Sequence, residues 1–288
     1  MACHKTGNIP LHFVDQVKAD LDRDVRLGVI RKVPVNTPVD LFLSRMYIAM
    51  KKNGKPRRTV DFKALNRACP RQTHSVEPPF WQANGVPGRT WKTCLDAKDG
   101  YHSILIAEED RKHTAFLTPW GRYEYLVTPQ GHLAAGDGYC QRYDEITVDF
   151  PDYKRCVDDT CLWNETIEGN FWRMVDYLTL CSQNGIMFNL PKFQFCRGEV
   201  EFVRYWLTED GMKPTKTMLD SIHNFPQPHN ISGVRGFIGL VEQVAWAFSK
   251  TEVMLPFREL LKKGTIFCWS QELHNSFKKA KGENGGVG

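Results

Sequence analysis

The run YKRCVDDTCLW, residues 153–163, places two adjacent carboxylates, Asp158 and Asp159, between two short apolar, strand-like segments. A polar dipeptide between β-formers predicts the tip of a hairpin. Such a tip projects two hard oxygen ligands of the kind magnesium takes. A solvated turn would account for the pair taken alone, so its meaning depends on what the rest of the chain brings near it.

Upstream, Asp96 closes a predicted strand over residues 93–95, in LDAKDGYHSI. If both strands share a sheet, three carboxylates converge at one end of it. Clustered carboxylates raise one another's pKa unless cations occupy the site. A pair of magnesium ions would remove that conflict and clamp the attacking and leaving oxygens of a phosphoryl transfer. The basic stretch KKNGKPRR carries Lys51, Lys52, Lys55, Arg57 and Arg58 around Asn53-Gly54, a strong hairpin turn. Folded over the carboxylates it would face phosphates; elsewhere it is a solvated face. In TPQGH, Gln130 offers an amide and Gly131 a close backbone approach; alone they make only a loop.

The composition, 42% hydrophobic and 25% charged, is that of a globular protein, and a net charge of +5 permits a polyanionic partner without requiring one. No apolar run of membrane-spanning length occurs, which excludes a transmembrane helix and a membrane partner. The N-terminus, MACHKTGNIPLHF, has no signal-peptide core,. Nine scattered cysteines show no paired CxxC spacing, so reduced thiols in a cytoplasmic or nuclear protein, not a secreted one, are expected.

Val14, Val17, Leu21 and Val25 recur at helical spacing before Gly28. Strands are predicted over residues 45–50, 59–62, 114–116, 123–127 and 200–207, with a loop over 69–88,. A helix is expected within residues 131–150. Another carries Phe171, Met174, Val175, Leu178 and Cys181, with Asn170 as its cap and Gly185 as its stop; a third carries Val234, Phe237, Ile238, Val241, Ala245 and Phe248, capped by Ser232,. Strands and helices mix without strict alternation, which favours an α+β fold.

RRTVDFKALN, LDAKDGYHSI, TPWGRYEYLVTPQG, CVDD, NGIMFNLPKFQF and EVEFVRYWLTEDG follow one another from the N-terminal to the C-terminal part of the chain. In that order and spacing the sequence resembles a reverse transcriptase, nearest to those of gypsy-type LTR retrotransposon pol polyproteins. The resemblance implies a right-hand polymerase: fingers at residues 1–72 and 107–134, palm at 73–106 and 135–206, a thumb-like or connection region at 207–278, and a disordered tail at 279–288. It implies RNA-directed DNA polymerisation from a primer 3′-hydroxyl with dNTPs on an RNA or DNA template, using two Mg²⁺ ions with Mn²⁺ as a substitute. Asp96, Asp158 and Asp159 match the metal-binding aspartates, and Lys192 the lysine near the leaving pyrophosphate. Lys51, Lys52 and Arg57 match residues that hold the triphosphate. Asp99 matches a phosphate-contacting backbone, Tyr101 the gate against a ribose 2′-hydroxyl, and Gln130 with Gly131 the loop beside the sugar. Cys156, Val203 and Arg204 fall at primer contacts.

The chain departs from that pattern at three places. Cys156 replaces the tyrosine of YxDD, Arg204 replaces a glycine of the primer-grip strand, and FNLPKF replaces LNPxKF around Lys192. Protease, ribonuclease H and integrase motifs are not found in the sequence, as in one segment of a longer pol product or a decayed copy. Two other readings stay open: a remnant that binds nucleic acid without turnover, and a metal-dependent nuclease, in which Tyr101 and Gln130 would have no role. Oligomeric state is left open.

Overall fold

A computed structural model describes residues 2–3, 7–50, 54–71, 73–247, 251–262 and 264–282. The helix expected near the N-terminus is α1 (Val14–Arg26), but its inward face is Val17, Leu21 and Asp24, while Val25 is exposed. Gly28 follows at φ +68°, a left-handed position glycine adopts at little cost. α1 packs on a sheet ordered β1 (Ala2–Cys3), β3 (Phe42–Met50), β6 (Phe116–Thr118), β7 (Gly121–Tyr125), β2 (Ile30–Lys32), with β4 (Pro56–Asp61) hairpinned onto β3. Leu21, Ile30, Met46, Phe62 and Phe116 fill the core between them. α2 (Lys63–Ala68) continues from β4. Met50 pairs with Pro56, as the predicted hairpin requires, while Lys51, Lys52 and Asn53 lie outside the described residues.

The five expected cations do not form one face. Side chains alternate along a strand, so Arg57 and Arg58 leave β4 on opposite sides. Arg58 turns inward and meets Asp24 of α1 at 2.5 Å.

The second sheet carries the candidate carboxylates. Its order is β10 (Met187–Phe188), β5 (Trp91–Lys98), β9 (Asp159–Asn164), β8 (Tyr153–Cys156), with β11 (Gln194–Arg197) also paired to β5. β5 is longer than its sequence suggested, so Asp96 lies within it and not at its end. One face, including Leu95, Ala97 and Leu162, is covered by α4 (Ala135–Thr147) and α5 (Ile167–Gln183). On the other, Cys94 and Cys161 pack against α3 (Pro79–Asn84) and a small sheet, β12 (Val200–Phe202), β13 (Tyr205–Thr208), β14 (Gly211–Pro214). α3 occupies part of the expected loop. The cap of α5 is Thr166, whose hydroxyl accepts from Gly169 N at 3.0 Å. Asn170 is fully buried instead, donating to Trp91 O at 3.0 Å and accepting from Thr93 Oγ1. It satisfies buried backbone between helix and sheet.

The single strand expected over residues 200–207 is a hairpin. Phe202 pairs with Tyr205, leaving Val203 and Arg204 as a two-residue turn at φ +45° and +74°. Two left-handed residues make the turn that Asn-Gly favours, and a β-branched valine is strained there. Replacing both, Val203→Asn with Arg204→Gly, is expected to raise stability by about 1–2 kcal/mol. Urea unfolding should show a higher midpoint at unchanged slope; an unmoved midpoint would mean the turn stores no strain.

Four further helices, α6 (Lys216–His223), α7 (Ile231–Val244), α8 (Thr251–Leu260) and α9 (Gln271–Ala280), share a core of Val234, Phe237, Val241, Phe257 and Phe277. Val234, Phe237, Ile238 and Val241 are buried in α7 as expected, but α7 ends at Val244 and Ala245 falls in the 3-10 turn Ala245–Ala247 that follows; Asn230 Oδ1 accepts from Gly233 N at 2.8 Å where Ser232 was expected to cap. Phe248 lies outside the described residues. Lys279 and Ala280, expected in the tail, belong to α9; residues 283–288 lie outside the described residues. Cys69, Cys94, Cys140, Cys156, Cys161, Cys181, Cys196 and Cys268 are free. Among the described residues no helix is long and apolar enough to cross a membrane.

Candidate active site

In the β8–β9 hairpin Cys156 pairs with Asp159. The tip is therefore Val157-Asp158, with Val157 at φ +55°, and Asp159 is the first residue of β9. This corrects the expected Asp158-Asp159 tip by one residue: the apolar Val157 enters the turn because β9 begins one residue earlier. The shift matters, because Asp159 then stands directly opposite Asp96 of β5 in antiparallel register. Directly opposed residues on neighbouring strands share a face. Asp158 is held beside them, its carbonyl accepting from Ala97 N at 2.7 Å.

Lys192 closes the 3-10 turn Leu190–Lys192 and donates from Nζ to Asp96 Oδ2 at 2.6 Å. The backbone of Asn189 also donates to Asp96 O at 2.8 Å. The shifted proline of FNLPKF thus leaves Lys192 at the carboxylates. Burial, then the charge of Asp96, raises the pKa of Asp158 and pushes Asp159 up to about 6, with Lys192 opposing both. Lys192 is itself raised, first by its hydrogen bond to Asp96.

Among the described residues no group of three His, Cys, Asp or Glu side chains is gathered closely enough to hold a metal ion. The Lys192 ammonium is instead the cation against Asp96. The donor chemistry nevertheless suits a hard divalent cation, since two of three neighbouring carboxylates are disfavoured as anions. Asp96, Asp158 and Asp159 are the residues that would hold it.

A second group forms at the first sheet. Arg57 Nη2 donates to Gln130 Oε1 at 2.8 Å, which brings two candidates together across 73 residues of sequence. Gly131 sits at φ +94°, and its carbonyl accepts from Asn66 Nδ2 at 2.8 Å, while Asn66 Oδ1 accepts from Leu133 N at 2.9 Å. Asn66 therefore clamps the Gln130-Gly131 loop. Sequence reasoning missed it; a poor helix former closing RRTVDFKALN was the available signal.

Asp99 is left-handed at φ +51° and its carbonyl accepts from His102 N at 2.8 Å. The Tyr101 ring meets Tyr139 edge-on at 5.6 Å. Between them a Cβ on Gly100 would come within 2.5 Å of the Tyr139 ring, so only glycine fits. Burial raises the Tyr101 phenol, with Asp158 adding to it. Cys156, Val203 and Arg204 line one cleft of about 600 Å³ together with Asp96, Asp158 and Asp159. Lys51 and Lys52 lie outside the described residues.

The fold has close counterparts. The foamy viral protease-reverse transcriptase dRH in complex with double-stranded DNA superposes with a TM-score of 0.86 at 19% identity, over 97% of this chain and 49% of that one. The same viral protein in complex with an RNA/DNA hybrid gives 0.78 at 19% identity, over 98% and 38%. Helices and sheets are thus arranged in the polymerase fold of reverse transcriptases. Residues 49–217, more than half of the chain, match the reverse transcriptase (RNA-dependent DNA polymerase) family, and the chain belongs to that family. Divalent-metal dependence is general in it.

Among similar proteins, the Transposon Tf2-3 polyprotein of Schizosaccharomyces pombe is 25% identical over 267 residues, 91% of this chain and 20% of that polyprotein. The enzymatic polyprotein of Cauliflower mosaic virus is 25% identical over 274 residues, 91% of this chain and 40% of that protein. The chain thus spans between a fifth and two fifths of these relatives.

Proposed function

We propose that the chain is the polymerase segment of an LTR retrotransposon polyprotein, extending a primer 3′-hydroxyl with dNTPs along an RNA or DNA template. The observation that carries this reading is the register pair Asp96–Asp159 with Asp158 on the adjoining turn. The first sheet with α1 and α2 corresponds to fingers (1–72 and 107–134). The second sheet with α3, α4 and α5 is the palm (73–106 and 135–206), and the C-terminal helices form the thumb-like region (207–278). The free cysteines support a reducing compartment, cytoplasm or nucleus.

Asp96, Asp158 and Asp159 would hold two magnesium ions, or manganese in their place, which would supply activation of the primer hydroxyl and charge neutralisation at the triphosphate. Lys192 carries a proton at Nζ beside Asp96, where a leaving pyrophosphate needs charge and a proton. Arg57, oriented by Gln130, grips phosphates, with Lys51 and Lys52 assigned the same task from the resemblance. Gly131 and the Asp99 backbone border the nucleotide, and Tyr101 obstructs a ribose 2′-hydroxyl. Cys156, Val203 and Arg204 face the primer terminus. Template recognition runs through backbone and duplex shape.

Purified protein on a homopolymer RNA template with a DNA primer tests this. Wild type is expected to extend in magnesium, and Asp158→Asn to lower the rate by about 10³-fold. The strained Val203-Arg204 turn favours one competing reading, a remnant that binds without turnover. That reading stands if wild type fails to extend in magnesium or manganese while binding hybrid duplex in a salt-sensitive way.

A further inference from the structure

Arg155 precedes the turn by two residues and is 5% exposed. Its Nη1 donates to Val157 O at 2.9 Å and its Nη2 to Cys140 O at 3.2 Å. Nη2 also meets Asp144 of α4, and the guanidinium lies 4.5 Å above the Tyr143 ring. Asp144 is held in turn by His74 Nε2 at 2.6 Å. Arg155 Nε is buried without a partner. A buried cation with an unpaired donor contributes little to stability compared with a well-packed apolar side chain, so its contacts point to another use.

That use is at the turn. Val157 is a β-branched residue at φ +55°, a conformation that persists only where its surroundings over-determine it. Two hydrogen bonds do so, one on each side: Arg155 to the Val157 carbonyl, and Ala97, next to Asp96, to the Asp158 carbonyl. The two peptides that flank Asp158 are therefore fixed, the one before it against α4 through Arg155 and the one after it against β5 through Ala97.

We infer that Arg155, braced by Asp144, is a positioning residue: it locks the strained turn that sets the Asp158 carboxylate relative to Asp96 and Asp159. The inference rests on the polymerase reading for its kinetic consequence and on the turn geometry alone for its effect on cation binding. Arg155→Lys keeps the charge but loses the planar fork that spans three acceptors; Arg155→Met keeps the length and loses both.

The test compares wild type, Arg155→Lys, Arg155→Met and Asp144→Asn. Three readouts are taken: thermal melting without metal, the melting shift on adding Mg²⁺ or Mn²⁺, and primer extension with hybrid-duplex binding measured separately. Arg155→Met is expected to lower kcat by about 10²-fold, the scale of a misplaced catalytic group, and to weaken the metal-induced melting shift. Duplex Kd should stay within about twofold, since phosphate contacts are untouched. Arg155→Lys should fall between. If Arg155→Met fails to fold, Asp144→Asn, altering a carboxylate whose side chain is 43% exposed, should show the same pattern more weakly. Folded variants with wild-type kcat and an unchanged metal shift would overturn the inference. Absence of extension in wild type overturns the polymerase reading instead, and the metal shift then decides the positioning role by itself.

Discussion

Asp159→Asn is expected to yield a protein that melts higher than wild type without metal, yet extends primers about 10³-fold more slowly. The stability half follows from electrostatics. Burial and Asp96 push the folded Asp159 carboxyl to about 6, against about 4 in an unfolded chain. A carboxyl raised on folding favours the native state fully below its unfolded pKa and loses that contribution as pH rises through its folded one. At pH 7.5 wild type therefore holds an ionised, partly desolvated Asp159 at a disadvantage. Allowing for solvent screening at this half-buried group, the disadvantage is about 1–2 kcal/mol. Asparagine removes it, so the gap between variant and wild type should be widest above pH 6 and close towards pH 4. Magnesium should narrow the gap at pH 7.5 by stabilising wild type through mass action. A variant that gains nothing above pH 6 would show that Asp159 is not strained as an anion. The activity half then separates a carboxylate kept for function from one kept for folding.

How far the sequence reveals this site differs from element to element. Asp96, Asp158 and Asp159 were legible because strand, turn and strand have local signals and the antiparallel pairing brings the carboxylates together. The exact tip was not, because Val157 is a β-former placed in a left-handed turn. The Val203-Arg204 turn was hidden for the same reason: neither residue is a turn former, and residues 200–207, rich in β-formers, read as one strand. Asn170 shows the opposite failure. Its capping propensity is real, but buried backbone at Trp91 outweighs it. The resemblance gave Arg57 and Gln130 separate roles, and their contact was not legible, since it spans 73 residues and no local pattern encodes it. Asp24 is the plainest case: its polarity would put it in solvent, although its spacing from Val17 and Leu21 places it on the inward face of α1.

Asp24→Asn is expected to cost about 3 kcal/mol, the largest stability loss among these changes. Asp24 and Arg58 side chains are each 12% exposed and lie 2.5 Å apart. Arg58 Nη1 is already buried without a partner. Removing the Asp24 charge therefore leaves a guanidinium in the core with no counterion, a loss of about 3–5 kcal/mol in buried pairs. Arg23 also contacts Asp24 at 3.0 Å, but its side chain is 57% exposed and water compensates it. The neighbouring exposed pair Lys18–Asp22 serves as the control: Asp22→Asn should change stability by less than about 1 kcal/mol. Replacing both members, Asp24→Leu with Arg58→Met, should recover most of the loss, because the penalty lies in the orphaned charge and not in the missing attraction. Urea midpoints of Asp24→Leu, Arg58→Met and the double close the cycle; an Asp24→Asn loss below about 1 kcal/mol would show the pair to be solvated. The same set bears on the site, because Arg58 anchors the strand whose next side chain, Arg57, reaches Gln130. If the anchor acts only by holding β4 to α1, the stable double variant should extend primers at the wild-type rate while Asp24→Asn loses activity as it unfolds.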